Sequence, residues 1–222
     1  VRGVNVDSGL VDLYRIDLNS GRGRSVKSMT LETDDYVLDG EGAVIAYSRY
    51  VDFTRRWSMM LPGGRVFRES WSVEAPIDTP RFHGLGRSPR TVVIGADRPD
   101  LAAQDTDADT ATNLFEVNVD TGEWTKLPFE HHPHALLHHP KTHLLVGASR
   151  MEEDGMRYEF IDPVSASRWR SITRALGDKA PQLMSWSADQ SRVLVFTDIG
   201  ESGLYQLVDF DRRTADILAE AY

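Results

Sequence analysis

Two clusters in this 222-residue chain carry residue types able to ligate a metal ion. Asp105, Asp107 and Asp109, followed by Glu116, stand at positions 1, 3, 5 and 12 of a calcium-binding loop, where carboxylate oxygens wrap a hard cation. Thr110 occupies the place of the glycine that makes the sharp turn of such a loop, and Glu116 belongs to an alternating segment. The expected structure is therefore an acidic loop between two strands. Six of the seven histidines crowd into residues 131–143. On an alternating strand His132 and His134 share a face, a workable pair of nitrogen ligands for zinc or nickel, but no third carboxylate or thiolate is placed beside them. Pro133 and Pro140 mark strand edges, so most of these histidines are expected in loops and turns. The reading at this level is no metal and no cofactor, with Asp105, Asp107, Asp109, Glu116, His132 and His134 as the residues to follow.

Nucleophilic chemistry has no starting point. A hydrolase nucleophile elbow needs G-x-S-x-G on a strand-to-helix turn. The nearest pieces, Gly84 to Ser88 and Gly200 to Gly203, have the wrong spacing. The chain has no cysteine, which removes thiolate catalysis, disulfides and the usual structural zinc sites.

Composition narrows the partners. The formal net charge of -9 argues against a surface that neutralises phosphates, so nucleic acid is excluded. No window approaches a membrane-spanning length, and the opening VRGVNVDSGL lacks the basic and then apolar run of a signal peptide. A folded, water-soluble body is expected, and the compartment stays open.

The elements that must position these residues are strands. A phrase of alternating strand, polar turn and second strand recurs at 12–26, 113–127, 157–172 and 203–218. In the copy NLFEVNVDTGEWTKL, Leu114, Glu116 and Asn118 alternate with Phe115 and Val117, and Asp120-Thr121-Gly122 supply the turn. A further strand pair precedes three copies, at 81–97, 134–149 and 182–199, and residues 35–73 follow the same plan. First strands beginning near 35, 81, 134 and 182 give spacings of 46, 53 and 48 residues, the period of four-stranded propeller blades. A sandwich or barrel also has many short strands, but does not repeat a two-hairpin phrase. The expectation is an all-β, partial β-propeller of about four four-stranded antiparallel blades plus half a blade. As one domain over 1–222, it comprises a half blade at 1–30 and blades at 31–76, 77–130, 131–175 and 176–222. Trp186, Phe196 and Tyr205 are expected where blade faces pack, and SITRALGDK (171–179) as a short helix between blades.

The phrases LYRIDLNSG, YVLDGEGAVIAYSR, LFEVNVDTG and LMSWSADQSRVLVFTDIGESGLYQLVDFDRRTADILAEAY resemble the propeller domain of the prolyl oligopeptidase family of serine peptidases, in its acylaminoacyl-peptidase-like or dipeptidyl-peptidase-like branch. WD40-like and other enzyme-associated propellers share part of the pattern. The resemblance implies a C-terminal α/β-hydrolase domain beyond the closing AEAY, with the propeller scaffolding that domain and gating peptide access to it. One branch holds the substrate amino terminus with adjacent glutamates. Glu152-Glu153 is similar only superficially, without the flanking aromatics, and is expected to be a solvated turn. The alternatives are a protein- or peptide-binding interaction propeller and, more remotely, a sugar-acting or lactonase-like propeller with a channel metal. Open blade edges are expected to be relieved by further blades or by a homodimer.

Overall fold

A computed structural model describes the chain except for residues 7, 9, 29, 99, 102–112, 130, 154, 178–179, 201 and 222. Among the described residues the strands form five antiparallel sheets, each a meander of consecutive strands. The first contains β1 (Arg2–Val4), β2 (Val11–Ile16) and β3 (Gly23–Ser28). The second contains β4 (Thr33–Leu38), β5 (Val44–Val51), β6 (Arg56–Pro62) and β7 (Phe67–Glu74). The third contains β8 (Arg81–Leu85), β9 (Thr91–Ala96), β10 (Asn113–Asn118) and β11 (Trp124–Lys126). In the fourth, β12 (Ala135–His138), β13 (Leu145–Glu152) and β14 (Gly155–Phe160) lead into the helix α1 (Pro163–Leu176). The fifth contains β15 (Gln182–Trp186), β16 (Arg192–Asp198), β17 (Gly203–Asp209) and β18 (Thr214–Ala221). This is the sheet content of a partial β-propeller. Among the described residues no helix is long and apolar enough to cross a membrane.

The sheets group into two compact units, one holding β1 to β11 and the other β12 to β18 with α1. In the first unit the middle strands are buried on both faces: Val92, Val93, Ile94, Phe115 and Val117 are all at 0% exposure. An aromatic chain runs through its core, with Trp57 at 5.7 Å from Trp71, Trp71 at 5.1 Å from Trp124, and Trp124 at 5.6 Å from Phe115. Edge-to-face contacts of this kind add to the area the rings bury.

Hairpin turns share one device, a side chain that accepts backbone amides two or three residues on. Asp17 takes the amide of Asn19, Asp39 that of Glu41, and Asn118 those of Asp120 and Thr121. These bonds satisfy amides that have no ladder partner, which is why Asp and Asn recur at the turns. Gly122, at φ 74, then takes the left-handed conformation that closes the loop back onto Asn118.

Two elements depart from the expected plan. The first sheet has a third strand, β1, where half a blade was expected. The segment 157–172, read as a hairpin, is instead β14 followed by α1. The helix signals are local. Asp162 caps the N-terminus by accepting the Ser165 amide at 2.7 Å, Pro163 stands in the first turn, and Gly177 at φ 65 ends the helix. Trp169, Ile172 and Leu176 fall on one stripe at helical spacing and pack with Val193, Val195 and Val208. The Trp169 ring meets those of Tyr158 at 4.6 Å and Phe160 at 5.9 Å, tilted against both. Trp186 packs between sheets, 5.7 Å from Phe160, as expected, while Phe196 and Tyr205 meet across the β16 and β17 pair at 5.1 Å.

Candidate functional site

The acidic cluster does not assemble into a described calcium loop. Asp105, Asp107 and Asp109 lie outside the described residues. Glu116 sits in the middle of β10 at 6% exposure and accepts the Thr91 hydroxyl at 2.8 Å. A carboxylate committed to a core hydrogen bond between strands is not placed to close a surface loop.

The histidine pair is separated for a backbone reason. β12 begins at Ala135, so His132 and His134 precede the strand and do not share a face of it. Pro133 between them has no amide to give to a ladder. His134 donates its amide to the Ser149 carbonyl at 2.7 Å, and the His132 Nδ1 lies 3.2 Å from the Pro133 carbonyl. Among the described residues no group of three His, Asp or Glu side chains converges as a metal site.

Glu152 departs from the solvated turn expected of it. It ends β13, and its carboxylate accepts from Arg150 at 2.5 Å and from the Arg157 Nε at 3.1 Å. Glu153 alone is an exposed turn residue. Strand register creates this arrangement: the β13 and β14 ladder sets Arg150 directly opposite Arg157. Two like charges facing each other across a ladder are unfavourable, and the Glu152 carboxylate relieves them.

The two arginines line a cleft of about 330 Å³ in the second unit, with His131, Pro133, Ala148, Ser149, Tyr158 and Glu159. This is within the usual range for small-molecule sites. Ala148 and Arg150 on β13 share a face with Glu159 and Arg157 on β14, because these are cross-strand pairs. The opposite face, with Tyr158 and Phe160, packs on α1. Tyr158 is anchored, its hydroxyl accepting the Leu183 amide at 2.8 Å, and burial pushes that phenol above its ordinary value. The cleft thus offers guanidinium donors suited to a carboxylate and, in Glu159, an acceptor suited to an ammonium group. Its chemistry is recognition. Only the ladder register reveals it; the sequence signal is RMEEDGMR, in which the pairing of Glu152 with Gly155 brings Arg157 back opposite Arg150.

A second, more open cleft of about 480 Å³ is lined by Lys141, Ser187, Ala188, Asp189, Ser191, Arg192 and Asp211. Asp189 and Arg192 are already committed within the fold. Asp189 accepts the Ser187 hydroxyl at 2.6 Å and the Ser191 amide at 3.0 Å, which hold its carboxyl well below the usual range. Arg192 donates to Asp209 at 3.0 Å.

No protein-family model matches the chain, and no curated protein matches it. Similar solved structures include TolB from Acinetobacter baumannii, at 13% identity and a TM-score of 0.44 over 99% of this chain and 52% of that one. The uncharacterized protein lmo1340 from Listeria monocytogenes EGD-e is similar at 10% identity and a TM-score of 0.49, over 91% and 57%. The β-propeller domain of the Trilobed protease from Pyrococcus furiosus is similar at 10% identity and a TM-score of 0.40, over 98% and 65%. The chain spans about half the length of the Acinetobacter TolB structure it matches.

Proposed function

We propose that the chain is a non-catalytic β-propeller segment of a serine-peptidase-like protein, scaffolding a hydrolase domain and gating peptide access to it. The observation that supports this reading is the cleft over β13 and β14. Arg150, Arg157 and Glu159 line it and present both charge signs within one small site, and a short peptide carries both an ammonium and a carboxylate. The cleft holds and orients; the reaction belongs to another domain.

A calorimetric titration of the chain with a free tripeptide tests the reading. Binding is expected, and Arg150→Ala is expected to weaken it about tenfold, the loss of one charge-assisted hydrogen bond. Absence of tripeptide binding would overturn the gating role. In parallel, a serine-reactive phosphonate should leave the chain unlabelled, and peptide-ester hydrolysis blocked by that reagent would overturn the non-catalytic assignment.

A further inference from the structure

In the second sheet, three large apolar side chains stand in water at the same end. Leu31 on the approach to β4 is 75% exposed, Phe53 in the β5 to β6 turn 97%, and Ile77 just after β7 87%. Single exposed hydrophobics are ordinary, so the significance lies in how these three are held. The Tyr50 amide donates to the Glu32 carbonyl at 2.8 Å, fixing the residue after Leu31. The Phe53 turn is closed by Thr54 to Val51 at 3.1 Å and Arg55 to Asp52 at 3.2 Å, with Arg55 in the left-handed region at φ 50. The Ala75 amide donates to the Arg55 carbonyl at 2.8 Å, and the Tyr50 hydroxyl donates to the Ala75 carbonyl at 3.1 Å. Arg49 pairs with Glu32 on the same segment. The three positions are therefore tied into one hydrogen-bonded end of the sheet. Strand order β4, β5, β6, β7 spreads them across its width, roughly 14 Å at a strand spacing of about 4.8 Å.

The surrounding charge has one dominant sign. Asp34, Asp52, Glu74 and Asp78 are exposed around this end; Arg55 is exposed beside them, and Arg56 is engaged by Glu69 and Ser72. The opposite end of the sheet, at the turns 39–43 and 63–66, has Val66 as its one large exposed hydrophobic among the described residues.

We infer that the Leu31, Phe53 and Ile77 end of this sheet is a docking surface for an apolar, lysine- or arginine-flanked strip of another protein. Apolar anchors in a charged rim are the anatomy of a protein interface, and the rim selects a partner of opposite sign. A second copy of this chain is the wrong occupant, since the same acidic rim would face itself on a molecule with a net charge of -9.

The test uses a fluorescently labelled, 14-residue amphipathic lysine–leucine peptide and its glutamate–leucine counterpart, followed by polarisation. The lysine peptide is expected to bind and the glutamate peptide not. The double variant F53S/I77S is expected to weaken binding at least about tenfold, with an unchanged melting temperature because both side chains are exposed. The variant D52N/D78N is expected to weaken binding and flatten its salt dependence. Equal binding of both peptides, no binding of the lysine peptide, or binding unchanged in F53S/I77S would each overturn the inference.

Discussion

The imidazole of His139 accepts the backbone amide of Lys141 at 3.2 Å. It also accepts that of Thr142 at 3.3 Å. In the turns of other sheets the same duty falls to the side-chain oxygens of Asp17, Asp39 and Asn118. A ring nitrogen here does the work of a short polar side chain. His139→Ala is expected to lower stability by about 1 kcal/mol, one net hydrogen bond, whereas His139→Asn restores the acceptor and returns to within about 0.5 kcal/mol of wild type. Urea denaturation measures both; equal losses would show that the ring packs and does not cap.

Trp169 joins α1 to the sheets of its unit, with 8% exposure and ring contacts to both Tyr158 and Phe160. Trp169→Ala is expected to cost about 3–5 kcal/mol, the range for removing a large aromatic from a core. Denaturant midpoints check this, and a loss below about 1 kcal/mol would mean the helix is not part of the core.

Gly147 in β13 has no room for a side chain. A Cβ there would lie 2.5 Å from the Glu159 carbonyl oxygen and 3.0 Å from the Phe160 Cα, both backbone atoms. Gly147→Ala is expected to destabilise by about 1–3 kcal/mol through overpacking and to disturb the facing of Arg150 and Arg157. Thermal melting and the tripeptide affinity should fall together.

Asp209 is held below its ordinary value of 3.8, first by the Arg212 amide and then by the Arg192 guanidinium. A depressed carboxyl contributes stability that is present above the unfolded value and is lost as pH falls through the folded one. Stability is therefore expected to decline below about pH 4, and Asp209→Asn to lower stability at neutral pH while making that acid limb shallower. Melting temperatures from pH 6 to pH 2 for both proteins decide it; parallel curves would remove Asp209 from the account.

Calcium is expected to give no heat in a calorimetric titration, because the Glu116 carboxylate is already spent on the Thr91 hydroxyl inside a sheet. A saturable exotherm abolished by Asp107→Asn would reverse this.

Strands and their turns were legible because their signals are local. Alternation in NLFEVNV and the Asn118, Asp120 and Gly122 turn chemistry are properties of a few adjacent residues, and β10 with its turn forms where they predict. The helix at 163–176 is hidden when 157–172 is fitted to the recurring hairpin phrase, although the Asp162 cap, Pro163 and the three- and four-residue spacing of Ser165, Trp169 and Ile172 all favour the helical period. β1 escaped notice because a three-residue strand is shorter than any periodicity can mark. His132 and His134 do not share a strand face, because β12 begins only at Ala135.

By itself the sequence determined the all-β class, the meander of short strands and the turn positions, because hydrophobic period and turn chemistry act over two to five residues. It also determined the acidic net charge and, with no cysteine, the exclusion of thiol chemistry. Only the tertiary structure decided that Arg150 faces Arg157 across a ladder with Glu152 between their charges, and that Leu31, Phe53 and Ile77 share one end of a sheet. The first depends on the register of a single hairpin and the second joins residues distant along the chain, and register and sheet order are set by packing over the whole sheet.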